Sequence, residues 1–378
     1  MSIYLDHAAT TQMKEPVIAA MEPYFIDRFE NAMAGYEKGR DSRKAVEQAR
    51  NTIAHCIGAR PEEIFFTSGG SESDNWVVKS VAKKMKKFKN HILTSAIEHH
   101  AILNSCRFLE PLGYKVTYLP VDSFGRVSPE TLERNLSEDA ALVTIMYGNN
   151  EIGTVEPIME LARIARKHEV LFHTDAVQAI GHVPLDVRSM PVDALSASAH
   201  KFCGPKGVGF LYLRQGTNIP GFIDGGSQER GKRAGTENVA GIVGMAKALE
   251  MSMESLRETR VRVTKLRNYF IGRVLNEIED VRLNGHPNQR LPGNVNFSFK
   301  GIEATTLLVI LEDYGIMASA GSACTTGTTR ISHVIEALHL EEEYAAGTMR
   351  FSLGEENTKE EMDYVLEVLK KAVSLLRK

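Results

Sequence analysis

Apolar residues gather in short runs at 64–67, 92–94, 116–119, 142–146, 170–173, 194–197 and 208–213. Each run is too short for a helix and too uniformly apolar for a strand with one wet face, so each predicts a strand buried on both sides. Between most of them apolar positions recur at helical spacing, which predicts helices over 71–87, 101–112, 129–135 and 157–167. Two more helices, 15–25 and 40–57, precede the first run, and in the second Ala45, Ala49, Ile53 and Ile57 share one face. Strands alternating with helices predict an α/β fold, with a mostly parallel seven-stranded sheet covered on both faces. After Gly235 the pattern changes to one long charge-laced helical stretch over 239–278, with a break expected near Leu256. Short strands at 281–283, 295–299 and 349–353 and helices at 304–313 and 359–376 follow, the pattern of a smaller α+β unit. The expected division is a large domain of residues 15–255 and a small one built from 1–14 and 256–378.

The bulk numbers narrow the function classes. A chain of 378 residues exceeds the size at which one core stops growing, in keeping with two domains. With 43% apolar and 25% charged residues and a net charge of -3, nothing calls for direct nucleic-acid binding. The densest basic run, Lys83-Lys84-Met85-Lys86-Lys87-Phe88-Lys89, falls where lysines complement a helix C-terminus, and reads as a solvated face. No run approaches the ~18 apolar residues that span a bilayer, and Met1-Ser2-Ile3-Tyr4-Leu5-Asp6 has no signal-peptide profile. A cytoplasmic protein without membrane contact is expected. Cys56, Cys106, Cys203 and Cys324 form no C-x-x-C pair, so neither a metal site nor a disulfide framework is expected.

Parallel sheets bind ligands beyond the carboxyl ends of their strands. Phe65-Phe66-Thr67-Ser68-Gly69-Gly70-Ser71 reads as strand, glycine turn and helix start, which aims free N–H groups at an anion. Gly226 to Lys232 has the G-x-x-x-x-G-K spacing, but Arg233 stands where a hydroxyl must bind magnesium, so nucleotide hydrolysis is not indicated. The run at 92–94 delivers His99 and the run at 142–146 delivers Asn149-Asn150-Glu151. The run at 170–173 delivers Asp175 and, one turn on, Gln178; such a carboxylate can hold a cationic ring nitrogen or cap a helix. The run at 194–197 leads into Ser198-Ala199-His200-Lys201. Lys201 there fits a Schiff-base anchor, since partial burial favours the neutral amine, and it also fits a solvated turn. Phosphate turn, histidine, carboxylate and lysine together are what pyridoxal 5'-phosphate requires.

The chain resembles the cysteine desulfurases of the NifS/IscS group, class V aminotransferases of the fold-type I pyridoxal-phosphate enzymes. The likeness runs from Tyr4-Leu5-Asp6-His7-Ala8-Ala9-Thr10-Thr11 through Asn149-Asn150-Glu151-Ile152-Gly153 and Ala199-His200-Lys201. It continues to Gly321-Ser322-Ala323-Cys324 and Arg350-Phe351-Ser352-Leu353-Gly354. The resemblance implies that Lys201 carries the cofactor and removes the α-proton of the substrate. It implies that Gly70, Ser71, Ser198 and His200 hold the phosphate, joined by Thr236 of a second subunit in a homodimer. Asp175 would pair with the pyridine nitrogen and Gln178 with the phenolic oxygen, while His99 stacks on the ring and serves as acid or base. Asn150 and Arg350 would receive the carboxylate of L-cysteine. Cys324, in a run of small residues with the composition of a mobile loop, would be the nucleophile that takes the sulfur as a persulfide and leaves L-alanine. The implied acceptor is a partner protein of iron–sulfur scaffold assembly, tRNA thiolation or DNA phosphorothioation. A transaminase or β-lyase with Cys324 idle is the alternative within the same cofactor class, and a nucleotide-binding or scaffolding protein the alternative outside it. Cys56 and Cys106 read as structural thiols.

Two segments depart from the pattern. Asn31-Ala32-Met33-Ala34-Gly35-Tyr36 stands where relatives carry Asn-Pro-Ser-Ser-x-His, and Arg330-Ile331-Ser332-His333 lacks the usual proline.

Overall fold

The computed structural model describes residues 2–320 and 331–377. Its strands in chain order are β1 (Ile3–Tyr4), β2 (Ile64–Thr67), β3 (His91–Ser95), β4 (Lys115–Leu119), β5 (Ala140–Thr144), β6 (Leu171–Asp175), β7 (Ala194–Ser198) and β8 (Gly209–Leu213). There follow β9 (Val281–Leu283), β10 (Asn294–Phe299), β11 (Ile316–Met317), β12 (Ser319–Ala320) and β13 (Thr348–Ser352). Among the described residues β2 to β8 form one seven-stranded sheet in the order β2-β8-β7-β6-β5-β3-β4. Neighbours are parallel except for β8, which runs antiparallel to both β2 and β7. The carboxyl ends of β2, β3, β5, β6 and β7 therefore open on the same side. Six of the seven strands are buried along most or all of their length, as their unbroken apolar runs require; β4 at the edge is half-exposed.

Helices cover both faces. Val17, Val46, Ile53, Leu161 and Leu249 pack with Phe66, Phe172 and Phe210 on one side of the sheet, and Trp76, Val78, Ile102 and Cys106 pack with Ile92 and Leu142 on the other. Cys106 is buried and Cys56 half-buried against the first of these cores. The expected helix over 15–25 is two pieces, Glu15–Met21 and Pro23–Ile26, because Pro23 starts a new turn. The smaller sheet, β12-β13-β10-β9, has its own core of Phe270, Phe297, Phe299, Phe351, Leu307 and Leu369. β1 pairs with β11 beside it, so the N-terminus joins this unit.

One helix, Val239–Glu277, crosses from one core to the other. Ala240 to Leu249 pack in the first and Val263, Phe270 and Val274 in the second. The expected break near Leu256 is absent. No proline interrupts these 39 residues, and Leu256 itself is buried. No helix among the described residues is long and apolar enough to cross a membrane.

Candidate functional site

A cavity of about 280 Å³ lies at the shared carboxyl ends of the strands, lined by Ala8, Ala9, Gly70, Ser71, Asp74, His99, Met146, Gly148, Asn150, Asp175, Val177, Gln178, Ser198, His200, Lys201 and Arg350. A larger cleft of about 500 Å³ lies beyond the turn that carries Lys201, beside Cys203 and His182. The smaller cavity is the candidate site, because it gathers a cation, a buried carboxylate, a helix N-terminus and an arginine in one space.

Each wall has a local cause. β7 ends at Ser198, and the single turn Ala199–Lys201 swings Lys201 towards the cavity. Its Nζ donates to the carbonyls of Ala8 at 2.6 Å and Ala9 at 2.8 Å. The turn is held from behind, where His182 Nε2 meets the Lys201 carbonyl at 2.8 Å and the Thr11 hydroxyl donates to the His200 carbonyl at 2.8 Å. His200 Nδ1 lies 3.2 Å from the Thr10 hydroxyl, and burial, with Lys201 and Lys206 nearby, pushes its pKa down to about 4.

The turn between β2 and the helix Gly70–Met85 depends on glycine. Gly69 has φ +154°, and a Cβ on Gly70 would stand 2.5 Å from Val177 Cγ2. The helix therefore starts with unpaired N–H groups beside Ser71 and Ser198, a place for an anion. Glu72 braces this turn, accepting from the Ser68 N–H at 2.8 Å and from Arg233 Nε at 2.8 Å.

Asp175 ends β6 and is buried; one of its oxygens accepts the Val177 N–H at 2.9 Å. Burial pushes its carboxyl pKa up, against the opposing pull of His99, the Val177 N–H and Lys201. His99 caps the helix His100–Leu109 by accepting the Ala101 N–H at 3.2 Å, which leaves its ring beside the cavity. Gln178 Nε2 donates to the Ala8 carbonyl at 2.9 Å, the same oxygen that receives Lys201. Arg350 comes from β13; its Nη2 lies 2.7 Å from Asp6 Oδ1 and its Nη1 donates to the Asn150 carbonyl at 3.2 Å. Arg350 Nε is buried and has no partner among the described residues.

The structure thus brings together ten of the residues singled out from the sequence: Gly70, Ser71, His99, Asn150, Asp175, Gln178, Ser198, His200, Lys201 and Arg350 line the cavity; Thr236 does not join them. Thr236 lines a separate cavity with Ser68, Gly207, Gln228 and Arg233. Cys324 and the motif Gly321-Ser322-Ala323-Cys324 lie outside the described residues. Sequence reasoning missed Asp74, whose carboxylate lies at the cavity, and the carbonyls of Ala8 and Ala9. The signal for Asp74 is faint: a second carboxylate, two residues after Glu72, one turn into a helix after a phosphate turn.

A family model described as aminotransferase class-V matches residues 3–365. The cysteine desulfurase IscS of Dictyoglomus turgidum is 50% identical over 375 residues, covering 99% of this chain and 95% of that protein. Among solved structures, a NifS-like protein superposes with a TM-score of 0.94 at 40% identity, covering 99% of this chain and all of that one (100%). SspA in complex with cysteine gives a TM-score of 0.83 at 36% identity, covering 94% and 100%.

Proposed function

We infer the activity from membership: the chain belongs to the class V aminotransferase family. Its relatives over nearly the whole length are cysteine desulfurases, which depend on pyridoxal 5'-phosphate, and this chain is a cysteine desulfurase that removes sulfur from L-cysteine. The observation that carries the reading is the meeting of Lys201, Asp175 and the Gly70 helix start in one cavity.

The residues fit the cofactor. A glycine cradle at a helix N-terminus suits the phosphate, a buried carboxylate suits the ring nitrogen, and a lysine stands between them. The unpartnered Arg350 Nε is a donor that awaits an acceptor inside the protein, as a substrate carboxylate would provide. When bound, pyridoxal phosphate supplies a carbonyl for the substrate amine and an electron sink for the carbon that loses its proton.

The chain's own residues do the rest. Lys201 holds the cofactor and moves the α-proton at its Nζ. Gly70, Ser71, Ser198 and His200 hold the phosphate. Asp175 holds the ring nitrogen, Gln178 the phenolic oxygen, and His99 stacks on the ring and passes protons. Asn150 and Arg350 orient the substrate by its carboxylate. Cys324, as a thiolate, attacks the substrate sulfur; the carbon–sulfur bond breaks, L-alanine leaves and a persulfide remains on Cys324. Thr236 completes the phosphate site of a second subunit in a homodimer, which would account for its distance from this cavity.

Support for L-cysteine as substrate comes also from the cysteine complex of SspA. The persulfide goes to a partner protein of iron–sulfur scaffold assembly, tRNA thiolation or DNA phosphorothioation, in the cytoplasm. Residues 15–255 make the cofactor domain, and 1–14 with 256–378 the small domain that bears Cys324. Product analysis tests the reading. L-Alanine with sulfur bound to the enzyme is expected, and pyruvate with ammonia would replace it by a β-lyase.

A further inference from the structure

Two carboxyl groups meet at the cavity wall. Asp74, one turn into the helix Gly70–Met85, is 1% exposed, and Asp175 at the end of β6 is 6% exposed. Ligand-capable atoms of Asp74, Asp175 and His99 all lie within 4.8 Å of one another. Two buried carboxylates at such range cannot both ionise without a penalty of several kcal/mol.

Behind Asp74 runs a chain of hydrogen bonds. The Thr144 hydroxyl lies 2.8 Å from His173 Nδ1, and His173 Nε2 lies 2.9 Å from the Ser196 hydroxyl. Burial drives the His173 pKa down to about 3, so the ring is neutral and has one proton. Ser196 also bonds to Asp74. It can donate there only if His173 donates to it, which puts the ring proton on Nε2 and makes Thr144 the donor to Nδ1. Every proton then points towards Asp74, and the chain ends on that residue. Among the described residues, however, Asp74 Oδ1 has no hydrogen-bond partner. Its nearest histidine nitrogen, His173 Nε2, is 3.7 Å away and already committed to Ser196.

We propose that Asp74 is a neutral carboxylic acid whose Oδ1–H bonds to Asp175, a positioning residue that lets the pair hold one proton and present a single negative charge to the cofactor ring. The inference rests on the reading of Asp175 as the partner of the ring nitrogen. Burial, followed by repulsion from Asp175, pushes the Asp74 pKa well above its usual range, in the direction the shared proton requires. A second full charge on Asp74 would repel Asp175 across the cavity wall. One proton on the outer oxygen fixes Asp175 without adding charge.

The test begins with the cofactor-free full chain, where infrared difference spectra of wild type against Asp74→Asn isolate the Asp74 carbonyl from other buried acids. A protonated-acid carbonyl band at neutral pH that Asp74→Asn removes is expected; no such band in the difference overturns the proposal. The second arm uses the loaded enzyme. Asp74→Asn keeps a donor and should hold the cofactor within about threefold of wild type. Asp74→Leu loses a charge-assisted bond and should bind it at least about tenfold more weakly, with a shifted pH dependence of the cofactor absorbance. Asp74→Leu with wild-type affinity and spectrum overturns the positioning role, and if it does not fold, the Asp74→Asn infrared result still decides. Asp175→Asn separates the underlying reading: unchanged cofactor affinity there would refute the ring-nitrogen role, whatever the infrared band shows.

Discussion

Replacing Arg350 by lysine tests how the site recognises its substrate. Arg350 is 5% exposed and splits its donors, with Nη2 on Asp6, Nη1 on the Asn150 carbonyl and, among the described residues, no partner for Nε. Lysine keeps the charge, but its one ammonium cannot stay on Asp6 and present a flat pair of donors to a carboxylate. The variant therefore loses at least one charge-assisted hydrogen bond, worth about 1.5–3 kcal/mol. That is a fall of about 10- to 150-fold in kcat/KM for L-cysteine. The control is cysteamine, the same molecule without the carboxylate, with binding read from the cofactor absorbance. Its affinity should be nearly the same in wild type and Arg350→Lys. An equal loss for both ligands, or less than about a threefold loss for L-cysteine, would refute the assignment of Arg350 to the carboxylate.

Three further expectations follow from the same geometry. Glu229 accepts Arg50 through both oxygens, at 2.8 and 2.9 Å, and also the Phe66 N–H at 2.9 Å, all buried; Glu229→Ala should cost about 3–5 kcal/mol in guanidinium unfolding, with an unchanged slope. Burial pushes the Glu98 pKa up to about 8, so its contribution is full below the carboxyl's ordinary range and is lost as pH rises through about 8. Glu98→Gln should thus gain on wild type between pH 5 and 8, by at most about 1.4 kcal/mol per unit, whereas parallel unfolding midpoints would show that Glu98 does not titrate there. A Cβ on Gly209 would stand 2.4 Å from the Ala197 carbonyl and 2.7 Å from Gly69 Cα, so Gly209→Ala should displace the phosphate turn. Cofactor retained through dialysis as in wild type would show that the turn absorbs the methyl group.

Much of this architecture is legible from hydrophobic periodicity, because a strand buried on both faces leaves an unbroken apolar run, as in Ile64–Thr67 and Ala194–Ser198. The strand-end rule then places Lys201, Asp175, His99 and Gly70 in one cavity. What periodicity does not carry is sheet order, since nothing local places β8 between β2 and β7, and two-residue strands such as β1 and β11, which are too short for a pattern. The expected break near Leu256 fails because a charge-laced stretch is also what a helix bridging two cores needs as its solvated middle. Asp74 escapes notice because its meaning comes from Asp175 and Ser196, which are more than 100 positions away in the chain. Contacts made by backbone carbonyls, such as those of Ala8 and Ala9 with Lys201, leave no mark on residue type.

The proposed mechanism sends the sulfur of L-cysteine onto Cys324, with Lys201 preparing the substrate. The most direct measurement is a single turnover of the loaded enzyme with L-cysteine, followed by mass analysis of the Cys324 peptide and quantitation of L-alanine, in wild type and in Cys324→Ser. Wild type should gain one sulfur atom on Cys324 for each L-alanine released, and Cys324→Ser should keep the bound cofactor and release no L-alanine. Full L-alanine release by Cys324→Ser, or sulfur on another residue in wild type, would contradict the account.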